Sequence, residues 1–336
     1  MPRSSQDLNP GAGRPLLDLV SYGRRGVMPE DRLSPFEVQH IARTVGRTPE
    51  VMVKVTGGGK TKAAAVGYLQ YIDRRGELEI ETDAGDVLKG PDVAEELATD
   101  WDLDTAAALA GGPYSGRSGR KPVKLVHNVV LSMPVGTPPL QVLIAARAFA
   151  REQFAFKHRY ALVLHTDQGH PHVHLAIKAV SEQGSRLNIR KATLREWRQQ
   201  FAHHLREQGI AANSTERAVR GASRTPIADG AYRASQRGES LRLPDRAEQL
   251  SERVQSGGEA DVPGKSTLLK TRAAVVSGWR NVADVLAAQG HADLAKQVRA
   301  FVNHLPPPLT DDERLVKASS KATTDPPEPR LIDRSR

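Results

Sequence analysis

Cysteine is absent from the 336 residues. That excludes disulfides, thiolate nucleophiles and zinc sites built on sulfur. Aromatic residues are scarce at 4 %, so stacking on planar ligands must be sparse. No stretch approaches the roughly 18–20 consecutive apolar residues of a membrane-spanning helix. The opening MPRSSQDLNPGAGRP has no hydrophobic signal segment, so the expectation is a cytoplasmic protein without membrane insertion. Acidic residues are the minority charge: 39 Asp and Glu stand against 48 Lys and Arg, a formal net charge of +9. Such a balance favours a polyanionic partner, because neutralising phosphates releases their counterions. What is present in ordinary measure is hydrophobic residue, 39 %, enough in a chain of this length for a sizeable core.

Residues 1–48 are rich in Gly, Pro and Arg and read as a basic, largely flexible arm, with one short helix at Phe36–Val45. A dense pattern follows. Val51–Thr56 (VMVKVT) is strand-like; Lys60–Asp73 is Ala-rich with Val66, Leu69 and Tyr71 at near-helical spacing, and Gly76 stops it. Glu77–Thr82 alternates as a half-buried strand does. A helix is expected at Pro91–Trp101 and a glycine and arginine loop at Gly111–Pro122. A β run at Val123–Ser132 and a helix at Pro138–Glu152 come next. Strands at Tyr160–His165 and His172–Val180 flank the turn TDQGHP. A further strand is expected at Ser185–Arg190 and an amphipathic helix at Thr193–Gln208. Intermingled strands and helices with hairpin-length connections imply an α+β fold, a central, mostly antiparallel sheet flanked by helices. Beyond it, 223–265 is a polar, basic linker, 266–304 a helical pair (Ser266–Gln289 and His291–His304), and 305–336 a Pro-rich disordered tail.

The informative stretch is LHTDQGHPHVHLAIK, 164–178, which holds His165, His170, His172 and His174. On a strand, side chains two apart share a face, so His172 and His174 project together while Val173, Leu175 and Ile177 bury the other side. A hairpin returns His165 beside them. Three imidazoles on a neutral scaffold make a site for a divalent ion with positions left open for substrate oxygens. A set of merely hydrogen-bonded histidines is the plain alternative. Asp167 stands where it can orient a ligand histidine or take a proton. His170, set off by Pro171, reads as a phosphate contact rather than a ligand.

H-x-D-x-x-H-P-H-x-H followed by a strand resembles the third motif of the HUH nucleases, in particular the P-type mobilisation relaxases that include the T-DNA border nickases. By that resemblance, His165, His172 and His174 hold Mg²⁺ or Mn²⁺, over a relaxase domain of 49–222. The family often carries Asn where Lys178 stands here. Tyr71, in LQYIDRRGELEI, resembles the first motif: a tyrosine at a helix end, followed by basic residues, glycine and a strand. Tyr68, one turn earlier, is the second candidate among six tyrosines (Tyr22, Tyr68, Tyr71, Tyr114, Tyr160 and Tyr232). A free phenol ionises near pH 10. Attack at neutral pH therefore needs a polarised phosphate and a proton acceptor, for which Asp167 is the candidate. Ser132, in NVVLSMPVGTPP, resembles the second motif, a strand-end serine near the DNA.

TGGGKTK (56–62) is no P-loop, since Lys54 stands where that pattern needs glycine. Its backbone, with Lys60 and Lys62, suits a phosphate contact. Arg74 and Arg75 after the tyrosine, Arg117, Arg120 and Lys121 in the loop, and Arg186, Arg190 and Lys191 past the histidine strand can line a single-strand groove. NSTERAVRG (213–221) resembles the segment after the relaxase core, with Arg217 and Arg220 as DNA contacts. The resemblance implies nicking and rejoining of one strand of a single-stranded or supercoiled transfer origin through a 5′-phosphotyrosine intermediate and a free 3′-OH. It also implies relaxosome accessory proteins and a coupling ATPase as partners. Two other readings stand beside it: a non-catalytic, basic DNA-binding accessory protein with a structural metal, and an HUH replication initiator or transposase. Tyrosine first and histidines late argues against the last.

Overall fold

The computed structural model describes residues 31–105, 123–222 and 264–314, with Leu19 and residues 245, 246, 248, 249, 252 and 317. The loop carrying Arg117, Arg120 and Lys121 lies outside them, as do most of 223–265 and of the tail. In chain order the described elements are α1 (Pro35–Val45), β1 (Met52–Gly57), α2 (Lys62–Ile72), β2 (Ile80–Thr82), β3 (Val87–Leu88), α3 (Val93–Asp100), β4 (Val126–Ser132), α4 (Pro139–Phe154), β5 (Tyr160–His165), β6 (His172–Lys178), α5 (Lys191–Glu207), α6 (Lys265–Ala288) and α7 (Ala292–Asn303). They fall into two compact units, one holding β1 to α5 and the other α1, α6 and α7.

The first unit is built on a six-stranded sheet in the order β1-β4-β6-β5-β2-β3. Every neighbouring pair is antiparallel, so the α+β expectation holds. The scarce aromatics are concentrated. Phe149 packs edge-on against Phe154, Trp197 and Phe201, with ring centroids 6.1–6.3 Å apart. This cluster joins α4 and α5 to the sheet face formed by Val129, Leu131, Val173, Leu175 and Ile177. The opposite face packs Val126, Ala161, Val163 and Ala176 against α2 and α3. Period-two burial on β4 and β6 thus gives the sheet two apolar sides and leaves the histidine positions at one end of the second.

Helix α2 is a local product of its sequence. Thr61 caps it by accepting from the Ala64 N–H at 3.1 Å, and Ala65, Val66, Leu69 and Ile72 form its buried stripe. It ends in a tight turn, with Arg74, Arg75 and Gly76 at φ 57°, 58° and 87°. Gly76 is required there twice over: a Cβ would lie 2.3 Å from the Gly90 carbonyl carbon and its φ disfavours any side chain. The turn also shortens the strand expected at Glu77–Thr82. The Leu78 N–H bonds the Asp73 carbonyl at 2.7 Å, so pairing begins only at Ile80. Likewise Ser185–Arg190 is not a strand. A turn around Gly184 ties Ser181 and Ser185 together, leaving one isolated bridge, Val180 to Arg186.

In the second unit α6 and α7 form a hairpin within one residue of the expected bounds. Trp279, Val282 and Leu286 of α6 share a core with Val298 of α7 and Ile41 of α1. None of the described helices is long and apolar enough to cross a membrane.

Candidate functional site

Strand register assembles the site. On β6, His172 pairs with His165 of β5 on one side and with Ser132 of β4 on the other; His174 lies between Val163 and Val130. Directly paired residues share a face, so two strands bring three imidazoles together. Their ring centroids are 4.5–5.2 Å apart, and one nitrogen from each falls within 4.8 Å of the others. All three residues are buried.

The nitrogens are assigned by their partners. His165 Nε2 lies 2.6 Å from the Ile72 carbonyl oxygen, and His172 Nδ1 lies 3.2 Å from that of His170. A carbonyl can only accept, so each of these nitrogens carries the proton. That leaves lone pairs on His165 Nδ1 and His172 Nε2. His174 Nδ1 is 3.2 Å from the Tyr68 hydroxyl; donation to that oxygen frees its Nε2 as well. Burial, reinforced by His165, His172 and Arg74, pushes His174 down to about 3, and burial lowers His165 also. His165 and His174 are therefore neutral near pH 7, which is the ligating form. A buried three-nitrogen donor set with ring nitrogens anchored by these hydrogen bonds fits a divalent ion.

The tyrosine helix lies over this cluster, and the Ile72 carbonyl at its last residue is what His165 grips. Tyr71 is 53 % exposed, and its ring stands edge-on to His174 with centroids 6.0 Å apart. Tyr68 stacks beside it at 6.4 Å. Burial, and secondarily Tyr71, raises the Tyr68 hydroxyl above the ordinary phenol range, which suits a neutral hydrogen-bonding group rather than a nucleophile. Tyr68→Phe leaves His174 Nδ1 without that partner; we expect Mn²⁺ affinity, read by calorimetry, to fall about 10-fold or more, with the helix content unchanged. An unaltered affinity would show that Tyr68 only packs.

Arg74 has a part the sequence did not reveal. Its left-handed backbone turns the guanidinium to within 2.5 Å of Asp167 Oδ2, 3.5 Å of His165 Nδ1 and 5.6 Å of the Tyr71 ring centre. Asp167, whose Oδ1 is 3.9 Å from His165 Nδ1, is held below the usual carboxylate range. Desolvation opposes that shift, but its own backbone N–H and Arg74 outweigh it. The spacing of Arg74 three residues after Tyr71 was the available signal. Its φ was not readable.

The other expected contacts are scattered. Ser132 is buried next to His172. His170 lies beside His172, ring centroids 5.4 Å apart, outside the three-nitrogen set. Lys60 and Arg75 are exposed. Lys62 is paired with Asp104 at 2.7 Å. Lys178 ends β6, six residues beyond His172 and roughly 20 Å along the strand, and it pairs with Glu182 at 3.0 Å. Arg217 and Arg220 belong to the second unit, where Arg220 donates to the Thr215 carbonyl.

Residues 106–210 match the family described as relaxase, MobA/VirD2-like, nuclease domain. The chain is similar to T-DNA border endonuclease VirD2 of Agrobacterium fabrum, 26 % identical over 213 residues covering 58 % of this chain and 46 % of that protein. The VirD2 of Rhizobium rhizogenes is 25 % identical over 234 residues, 64 % of this chain and 50 % of that one. The chain thus spans about half the length of the curated relatives it matches. A looser likeness, TM-score 0.32 and 13 % identity, covers 50 % of this chain and 99 % of a chain from a structure titled for the molecular basis of vancomycin resistance transfer in Staphylococcus aureus. Over these residues the chain is similar to the relaxase nuclease domain and to the T-DNA border endonucleases.

Proposed function

We propose that this relaxase-like chain nicks one strand of DNA at a transfer origin and can rejoin it, with Tyr71 as nucleophile beside a divalent ion on His165, His172 and His174. The observation that carries the reading is the 6.0 Å separation between the Tyr71 ring and His174 of the buried three-histidine cluster. The similarity to T-DNA border endonucleases supports the choice of DNA as substrate.

A bound Mg²⁺ or Mn²⁺ supplies Lewis-acid polarisation of the non-bridging phosphate oxygens. The rest falls to side chains. Tyr71 Oη forms a bond to phosphorus as the P–O3′ bond breaks, so the 5′ phosphate stays on the protein and the departing 3′ oxygen takes a proton from solvent to leave as a 3′-OH. Asp167, kept ionised beside Arg74, accepts the phenolic proton. Arg74, over the ring face, stabilises the negative charge that develops on the phenol oxygen and the phosphate. Retaining the phosphodiester energy in a tyrosyl ester lets the 3′-OH reverse the step. Lys60, Arg75, Ser132, Lys178, Arg217 and Arg220 are proposed contacts to the strand; those already paired, such as Lys62, must exchange an internal carboxylate for phosphate. Accessory proteins that open the origin and a coupling ATPase are the proposed partners.

The test incubates the protein with Mn²⁺ or Mg²⁺ and an end-labelled, single-stranded origin oligonucleotide. An SDS-resistant protein–DNA adduct and a 3′ end that a polymerase can extend are expected. Cleaved product with no adduct would indicate a hydrolytic nuclease instead. Binding without cleavage would leave the accessory-protein reading.

A further inference from the structure

We propose that a second nucleic-acid site lies on the other face of the same sheet: a cleft that takes one nucleotide unit of the single strand, phosphate on Lys124 and Arg186, base against an aliphatic wall. The inference rests on DNA being the substrate, and it is separate from the nicking chemistry.

The cleft has a volume of about 570 Å³ and a polar lining of Lys124, His127, Arg186 and Asn188. That volume is in the usual range for small-ligand sites. Its apolar wall includes Val55, Leu187 and Ile189. His127 pairs with Ile177, whose side belongs to the α4 and α5 face, whereas Ser132 and His172 project from the other. Five residues also separate His127 from Ser132, roughly 17 Å along the strand. The cleft is therefore distinct from the histidine cluster.

Among the described residues no carboxylate lines the cleft. Lys124 Nζ donates to the Gly57 carbonyl at 2.8 Å and Arg186 to the Lys124 carbonyl at 2.9 Å. These bonds aim the two cations without neutralising them, unlike the carboxylate pairs of Lys62, Arg74 and Lys178. His127 Nδ1 is buried with no hydrogen-bond partner. Burial first, then Lys124 and Arg186, push this imidazole down to about 4, in keeping with a positive field at the cleft. Two cations with no carboxylate partner among the described residues, beside an aliphatic wall, suit a phosphate attached to a flat, weakly polar base.

The same residues suggest the route. Lys124 holds the glycine turn 57–59, and a Cβ on Gly58 would lie 2.4 Å from the Val126 carbonyl oxygen and 2.6 Å from Lys124 Cδ. This turn leads into α2 beside the edge strand β1. A strand running back along α2 from Tyr71, about 15 Å for ten residues, reaches the turn and passes round the β1 edge to Lys124.

The absence of cysteine makes the test clean, since Asn188→Cys introduces a single thiol. In a Tyr71→Phe background, origin oligonucleotides carry a thiol-reactive tether at one nucleotide after another on either side of the nick. The expected result is a disulfide cross-link peaking at one position several nucleotides from the nick. Arg186→Ala, at an exposed position, is expected to weaken oligonucleotides that reach this position about 5- to 10-fold, and to flatten the log–log salt dependence by about 0.7. Arg186→Lys should restore most of that slope. Uniform or absent cross-linking, or an unchanged slope with an unchanged melting temperature, would overturn the proposal. So would protection of the thiol by free thymidine monophosphate as effective as that by the oligonucleotide, which would assign the cleft to a soluble nucleotide. A cross-link without any covalent adduct in the Tyr71 protein would remove the nickase reading and keep the cleft; an adduct with no cross-link would do the reverse.

Discussion

Tyr71→Phe is expected to abolish the covalent DNA adduct and to lower nicking by at least about 10³-fold, while oligonucleotide affinity changes less than about 2-fold. The side chain loses only its hydroxyl. Tyr71 is 53 % exposed, so its ring keeps the edge-on contact with His174 and the stacking with Tyr68, and stability should move by no more than about 0.5 kcal/mol. The loss is thus confined to chemistry, because without Oη no atom on the ring can bond to phosphorus. Tyr68 is poorly placed to substitute: it is turned in toward His174, and ionising it is opposed by burial. An adduct that persists in Tyr71→Phe and disappears in Tyr68→Phe would reverse the assignment. Adduct mass mapping on the two single variants decides between them.

His172→Ala should lower nicking by about 10²–10³-fold at low metal concentration and weaken Mn²⁺ binding in parallel. His172 is central in the row Ser132–His172–His165, and its removal takes one of three donors from an enclosed site. Raising Mn²⁺ should recover part of the rate, because the two remaining imidazoles and the substrate phosphate can still hold an ion. The position is buried and abuts His165, His170 and His174, so a cavity will cost some stability. Melting temperatures with and without metal separate the two effects. The native chain should be stabilised by Mn²⁺, in proportion to the logarithm of its concentration above Kd, and His172→Ala much less so. Equal stabilisation of both proteins would place the ion elsewhere.

Much of the site was legible in the chain because the relevant periodicities are local. Two residues per strand repeat put His172 and His174 on one face, and a hairpin-length turn returned His165 beside them. The Ala-rich run with Val66, Leu69 and Tyr71 at near-helical spacing, and Gly76 beyond, marked the tyrosine helix and its end. The sheet's interior strands, buried on both faces, announced themselves as the runs VHNVVLS and HVHLAIK. Even the charge imbalance could be counted without coordinates.

What the chain by itself determined, then, was which residues could act: three imidazoles, a phenol and an excess of cations in segments of known periodicity. Tertiary structure decided which of them meet. The Tyr68 bond to His174 joins positions 106 residues apart, and the Arg74 pair with Asp167 joins positions 93 apart; both exist only because α2 docks on the β5–β6 end of the sheet. The same docking fixed which nitrogen of His165 keeps a lone pair, and it was tertiary packing that engaged Lys62 and Lys178 with carboxylates while Lys124 and Arg186 donate to backbone carbonyls instead. Periodicity is a property of neighbours in the chain, whereas hydrogen bonds and ion pairs act over a few ångströms of space, so only the packed register could settle them.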